Sequence, residues 1–246
     1  LTLVVINMTL QTCQILLQQD DVMGLPMMSL DHENNVPALF STLLLLTSSV
    51  ILACIAWVER TRGGADAIQW AILAAGLLLM GVDESLSLHE RLIDPLRALM
   101  HDSLGIERFG IFYFAWVIPG IALVVALGIC FLPFVRRLPT RTGAMLLVSA
   151  AIYFGGALGV ELAEGWWREG HGNRNVVYHA FVSIEEGMEM IGAILLIHTL
   201  LDLLANRSGG VIIALKAREH AVPMAAASEV GGASAALRED PRLDAP

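Results

Sequence analysis

Ten side chains able to bind a proton or a cation stand at the ends of apolar runs in this chain. They are Asp83, Glu84, His89, Glu90, Glu161, Glu164, His179, Glu185, Glu186 and Glu189. A charge at the centre of a bilayer costs ~3 kcal/mol or more, and like charges at close range cannot all stay ionised in a dry site. Such a group must therefore face water, hold protons, pair with arginine or bind a cation. The basic residues near it in sequence are Arg91 and Arg168. Carboxylates with imidazoles suit Zn, Mn or non-haem Fe better than soft sites do. All ten are read here as candidate ligands of a divalent metal. The HExxH motif and the ExxH repeats of helical di-iron sites are absent, no organic cofactor is implied, and no catalytic residue is assigned.

Spacing sorts these residues. Asp83, Ser87 and Glu90 fall at i, i+4 and i+7, one face of a continuous helix. His179, Ser183, Glu186 and Met190 share a stripe, with Glu185 and Glu189 on the adjacent one, and Glu161 and Glu164 are i, i+3 neighbours. Plainer readings stand beside these. A carboxylate at a helix end is often only solvated, and Glu90 can pair with Arg91 or Arg97. A lone His is more often a hydrogen-bonded structural residue than a ligand, and Met188 and Met190 read as core packing. His198 and Asp202, at i and i+4, offer either a proton relay or local bonding.

The elements that must position these groups are membrane helices. Of the 246 residues, 56% are hydrophobic and only 16% are charged, against about 25% charged in a soluble domain. Five runs, 37–58, 66–84, 111–135, 142–162 and 177–204, can each supply the ~20 residues that cross a ~30 Å hydrocarbon core. Backbone groups in lipid must be satisfied internally, so the expected fold is all-α, a polytopic transmembrane bundle of about five spans. From Ala67 to Val82 the rise is only ~24 Å, and from Met190 to Leu204 ~22 Å, at 1.5 Å per residue. Asp83 and Glu84 are thus expected at the outer boundary, and Glu185, Glu186 and Glu189 within the outer leaflet. Three helices bring acidic groups to a similar depth.

Arg60, Arg62, Arg136, Arg137, Arg141, Arg207, Lys216 and Arg218 fall in alternate connecting segments. Those segments are expected to be cytoplasmic, with the N-terminus outside and the loops 85–110 and 163–176 outside. The net charge of −9 and the lack of a basic patch argue against nucleic acid. The partner is the lipid bilayer, with a homo-oligomer or a membrane-complex partner left open. Cys54 and Cys130 lie in apolar runs and read as buried, inert thiols, and Cys13 has no metal-ligand spacing to either. Gly155 and Gly159 have GxxxG spacing, which allows close helix approach. Asn34 and Asn35 are candidate caps of the first span, with Pro37 in its first turn. Residues 28–205 form the expected transmembrane domain. Residues 1–27 read as a non-native segment, with a start at Met23, Met27 or Met28, or as a weak extra helix. Residues 206–246 read as a mostly disordered cytoplasmic tail.

The stretches "ENNVPALFSTLLLL" (33–46), "DESLSLHERL" (83–92), "GVELAEG" (159–165) and "SIEEGMEMIG" (183–192) resemble an uncharacterised bacterial family of polytopic membrane proteins. The resemblance covers about residues 28–205. It implies topology and a bacterial inner membrane, and no activity. Membrane hydrolases of the alkaline ceramidase kind share only Ser, Asp and His as ingredients; their His spacing and seven-span layout are missing. Three functional readings follow: a metal or proton site of a membrane enzyme or metal-handling protein, a proton- or cation-coupled transporter, and a non-catalytic subunit of a membrane complex.

Overall fold

A computed structural model describes residues 36–208. The readings of residues 1–27, of Asn34 and Asn35 as caps and of the tail beyond residue 208 lie outside the described residues. Seven α-helices occur among them, and no strand: α1 Val36–Thr61, α2 Ala67–Leu86, α3 Ile93–Leu104, α4 Val117–Arg137, α5 Thr140–Phe154, α6 Glu161–His171 and α7 Val176–Ser208. A π-helical segment, Gly155–Val160, joins α5 to α6 without a break. Five stretches are long and apolar enough to cross a membrane: Pro37–Thr61, Ala67–Leu86, Val117–Arg137, Thr140–His171 and Val176–Asn206. The protein is a multi-pass helical membrane protein.

Three boundaries differ from the sequence reading. The third span begins at Val117, not near residue 111, because Gly110 takes a left-handed φ of 55° and a short 3-10 turn, Gly110–Phe112, follows it. The fourth runs on to His171, past the expected end at 162, because its polar last stretch stays helical and buries Glu161, Glu164 and Gly165. The segment expected as a plain loop at 85–110 holds a helix of its own, α3. The helix that would have put Asp83, Ser87 and Glu90 on one face ends at Leu86. Ser87 adopts φ 47° and ψ 48°, and its N–H bonds back to the Asp83 carbonyl at 2.6 Å. That left-handed cap turns the chain back on itself.

Between lipid-immersed helices, packing and polar contacts replace the hydrophobic effect. At the end away from the acidic residues, Leu52, Ile55, Trp70, Phe134, Leu200 and Leu203 form a tight cluster. The Trp70 and Phe134 rings meet edge to face at 4.9 Å. Arg137 bonds Asp66 there, tying the end of α4 to the start of α2. Large apolar side chains such as Leu39, Trp57, Leu79, Leu123 and Ile129 cover the outside of the bundle, as a lipid-facing surface requires. Cys54 and Cys130 lie on that surface as free thiols. This corrects their reading as buried: apolar neighbours in sequence did not mean protein neighbours in space.

The seam that matters for the site runs between the fourth and fifth spans. A Cβ at Gly156 would meet the Glu185 carbonyl oxygen at 2.8 Å, and one at Gly192 would meet Tyr153 N and Cβ at 2.8 Å. Gly155 lies against Met188, whereas Gly159 has nothing within 4 Å of its Cβ position. Gly155, Gly156 and Gly192 therefore make the close approach, and Gly159, the other half of the GxxxG pair, does not. Met190 is buried beside Tyr178 and Val182, and Met188 packs on Gly155 and Gly156.

Candidate functional site

The π-helical segment carries one more residue per turn than an α-helix. It lies directly before Glu161 and brings Glu161 and Glu164, 7% and 5% exposed, into the bundle. On α7 the uninterrupted helix brings Glu185, Glu186 and Glu189 round to the same space. The last turn of α2 adds Glu84. These six carboxylates line one cavity of about 610 Å³, together with His89, Glu90, Arg168, Asn173, Tyr178 and apolar side chains. The expected meeting of acidic groups from three helices is thus a shared cavity.

Within it the residues have different environments. Ligand-type oxygens of Glu84, Glu186 and Glu189 all lie within 4.8 Å of one another. Glu189 is 9% exposed, and the buried Oε2 of Glu186 has no hydrogen-bond partner. Glu164 and Glu185 line the cavity from α6 and α7. Glu161 accepts a hydrogen bond from Trp116 Nε1 at 2.7 Å through Oε1, and its buried Oε2 has no such partner.

Asp83 and His89 form a unit. The turn at Ser87 lets the His89 backbone N–H donate to Asp83 Oδ1 at 2.9 Å, and His89 Nδ1 lies 2.8 Å from Oδ2. The Trp116 ring lies against His89 at 4.6 Å. His89 is outside the membrane-spanning stretches. Burial by itself would lower its pKa, but the hydrogen bond and charge of Asp83, with the charges of Glu161 and Glu90, outweigh that and raise it. Nδ1 is committed to Asp83, so Nε2 is the ring atom available to the cavity, the arrangement by which a carboxylate orients a histidine ligand or base. Asp83 itself does not line the cavity, and neither does His179. His179 lies on the first turn of α7, where its N–H bonds the Asn175 carbonyl.

The cations near this end are mostly used elsewhere. Arg91 is exposed and donates to the Leu86 carbonyl at 3.3 Å. Arg97 bonds the Tyr113 carbonyl and covers the Tyr113 ring at 3.9 Å. Arg168 alone among the arginines lines the cavity. His198 and Asp202 lie far from it, around a small groove with Arg141 at the other end of the bundle.

Several residues that sequence reasoning passed over hold the site together. Glu169 accepts from the backbone N–H groups of Phe109 and Gly110 at 2.7 and 3.0 Å, which pins the connection into α4. Asn175 caps α7, its side-chain oxygen accepting from Tyr178 N at 2.9 Å and from Trp167 Nε1 at 2.8 Å. An Asn immediately before an apolar run is a legible cap signal. Trp116 and Glu169 act through contacts 45 and 60 residues away in sequence, and no local pattern announces them.

The chain belongs to the family described as Domain of unknown function (DUF8692), which it matches over residues 1–204. The match includes residues 1–27, which the resemblance in the sequence had left aside. No curated protein and no solved structure matches the chain.

Proposed function

We propose that this membrane protein holds a divalent cation between Glu84, Glu186 and Glu189, and works as a membrane metalloenzyme or metal-handling protein. The observation that carries this reading is the convergence of three carboxylate oxygens from two helices within 4.8 Å. Oxygens bound to one ion at roughly 2.0–2.6 Å lie no more than about 5 Å apart, so the trio already has ligand spacing. The partnerless buried oxygen of Glu186 supports it further. An oxygen trio suits a hard ion, and His89 Nε2 nearby extends the choice to Mn, Zn or Fe. A cation there would supply activation of a bound water or polarisation of a substrate oxygen. The chain's own contribution is an imidazole oriented by Asp83. The cavity opens, on this reading, to the outside of a bacterial inner membrane, with the N-terminus of α1 on that side. Arg60, Arg62, Arg136, Arg137 and Arg141 at the opposite end support that orientation.

One feature favours a second reading, proton- or cation-coupled transport. The fourth span departs from α-helix at Gly155–Val160, beside the carboxylates, and non-α backbone at membrane depth is kept where it lines a cavity. Against it, the buried hydroxyls beyond the cavity, Ser48, Ser149 and Thr199, each donate to the carbonyl four residues back, which commits their protons.

The test is metal content. The full chain, purified in mild detergent and dialysed against Mn²⁺, is expected to retain a stoichiometric ion, lost in a folded Glu186→Gln/Glu189→Gln variant. Wild-type protein that retains none overturns the cation site, and ion flux in proteoliposomes then tests the second reading.

A further inference from the structure

The helix between the second and third spans has three different sides. α3, Ile93–Leu104, is twelve residues long, ~18 Å at 1.5 Å per residue, and too short to cross a ~30 Å core. Ile93, Leu96, Arg97 and Met100 form its packed side and are half-buried. Ile93 meets the cluster of Phe114, Val117 and Leu158. Arg97 bonds the Tyr113 carbonyl and covers the Tyr113 ring at 3.9 Å, which holds α3 level with the start of α4. Leu92, Pro95 and Leu99, at i, i+3 and i+7, form a second side, and Leu92 and Leu99 are 48% and 60% exposed. Asp94 and His101, at i and i+7, form a third side and are exposed as well. At ~100° per residue the leucine side and the Asp94 side lie opposite each other, with the packed side between them.

A helix lying along the rim of a membrane bundle has three neighbours: protein, lipid and water. The leucine side joins the lipid-facing surface at both ends of α3. Leu86 closes α2 and Ile118 stands in the first turn of α4, both exposed on stretches that cross the membrane. Leu88 and Ile111 are exposed in the connections on either side of α3. Charge does not choose the partner. Residues 90–108 hold four acidic side chains, Glu90, Asp94, Asp102 and Glu107, against three arginines, Arg91, Arg97 and Arg108, so the segment has no excess of cations to draw it to anionic lipid.

We infer that α3 lies in the head-group region of the leaflet on the cavity side, with Leu92, Pro95 and Leu99 turned into the acyl chains and Asp94 and His101 toward water. The occupant of the leucine side is the lipid bilayer itself. Ile93, on the packed side, also lines the acidic cavity, so the rim of that cavity stands at head-group depth. Nothing in this placement requires the proposed cation.

The full chain, with Cys13, Cys54 and Cys130 replaced by alanine, is reconstituted in phosphatidylcholine nanodiscs. A nitroxide is attached through Leu92→Cys, Leu99→Cys, Asp94→Cys or His101→Cys, one at a time. Spin-label relaxation then compares collisions with oxygen, which concentrates in lipid, and with a water-soluble nickel chelate. The ratio of oxygen to nickel collisions is expected to be several-fold higher at Leu92 and Leu99 than at Asp94 and His101. Equal access of the nickel chelate to both sides overturns the inference and puts α3 in water. A leucine side shielded from both reagents also overturns it, since protein, such as a second copy of the chain, then covers the stripe. If the cysteine-free chain does not fold, judged by circular dichroism, benzoylphenylalanine at Leu99 or at Asp94 in the natural chain replaces the label. Light-induced adducts with phosphatidylcholine, read by mass spectrometry, are expected in excess at Leu99. A cross-link to a second copy there, or no such excess, overturns the inference.

Discussion

The seam between the fourth and fifth spans offers a sharp test, because two neighbouring glycines should respond in opposite directions. At Gly156 an added Cβ would lie 2.8 Å from the Glu185 carbonyl oxygen and 3.0 Å from Met188 Cβ. A backbone oxygen cannot rotate away, so the two helices must part. Overpacking of this kind costs ~1–3 kcal/mol. At Gly159 the added Cβ meets nothing within 4 Å, and alanine gains ~1 kcal/mol over glycine in a helical interior. That propensity gain is common to both substitutions, so the difference between Gly156→Ala and Gly159→Ala isolates the packing cost, ~1–3 kcal/mol. Reversible unfolding in mixed micelles, followed by circular dichroism, measures it. Equal destabilisation by the two alanines would refute the reasoning and restore the GxxxG pair as the contact.

Three further outcomes are expected. In metal-free protein, His89 should titrate above its ordinary value of 6.5, mainly because Asp83 outweighs the effect of burial. Its stabilising contribution is then full below that value and is lost as pH rises through the higher folded-state value; imidazole NMR titration checks this, and Asp83→Asn should bring the midpoint down. Trp116→Phe removes the one hydrogen bond to Glu161, leaves both carboxyl oxygens without a donor, and should cost ~1–3 kcal/mol in detergent unfolding. Glu169→Ala releases the N–H groups of Phe109 and Gly110, so tryptic cleavage after Arg108 should accelerate, read by mass spectrometry, while the helical content stays unchanged.

The spans were legible because each is a local quantity, a run of apolar residues long enough to cross a bilayer. The acidic group was legible for a related reason, since a count of residues against thickness leaves Glu84, Glu186 and Glu189 nowhere dry to stay charged and unpaired. Failures of the sequence reading came where one backbone dihedral or one packing contact decides the outcome. Ser87 carries no helix-breaking signature, yet its left-handed conformation ends α2. It turns Asp83 from a stripe-mate of Glu90 into the partner of His89. Gly155 and Gly159 have the right spacing for a seam, but the π-helical segment between Phe154 and Glu161 shifts the register, and Gly156 takes the contact. Cys54 and Cys130 sit among apolar neighbours in sequence and face outward in space.

By itself, then, the sequence determined that the chain is a multi-pass helical membrane protein, with about five spans and acidic residues at the ends of three of them. Composition and rise per residue are one-dimensional properties, and the bilayer converts them directly into topology. Only the tertiary structure decided which carboxylates meet. Glu84, Glu186 and Glu189 converge, Asp83 turns to His89, and Arg168 lies against the rings of Tyr113, Phe114 and Tyr178. Those pairings depend on rotation about helix axes and on distances of a few ångströms between helices. Glycine seams, a π-helical turn and a left-handed cap set both, and none of them leaves a periodic trace in the chain.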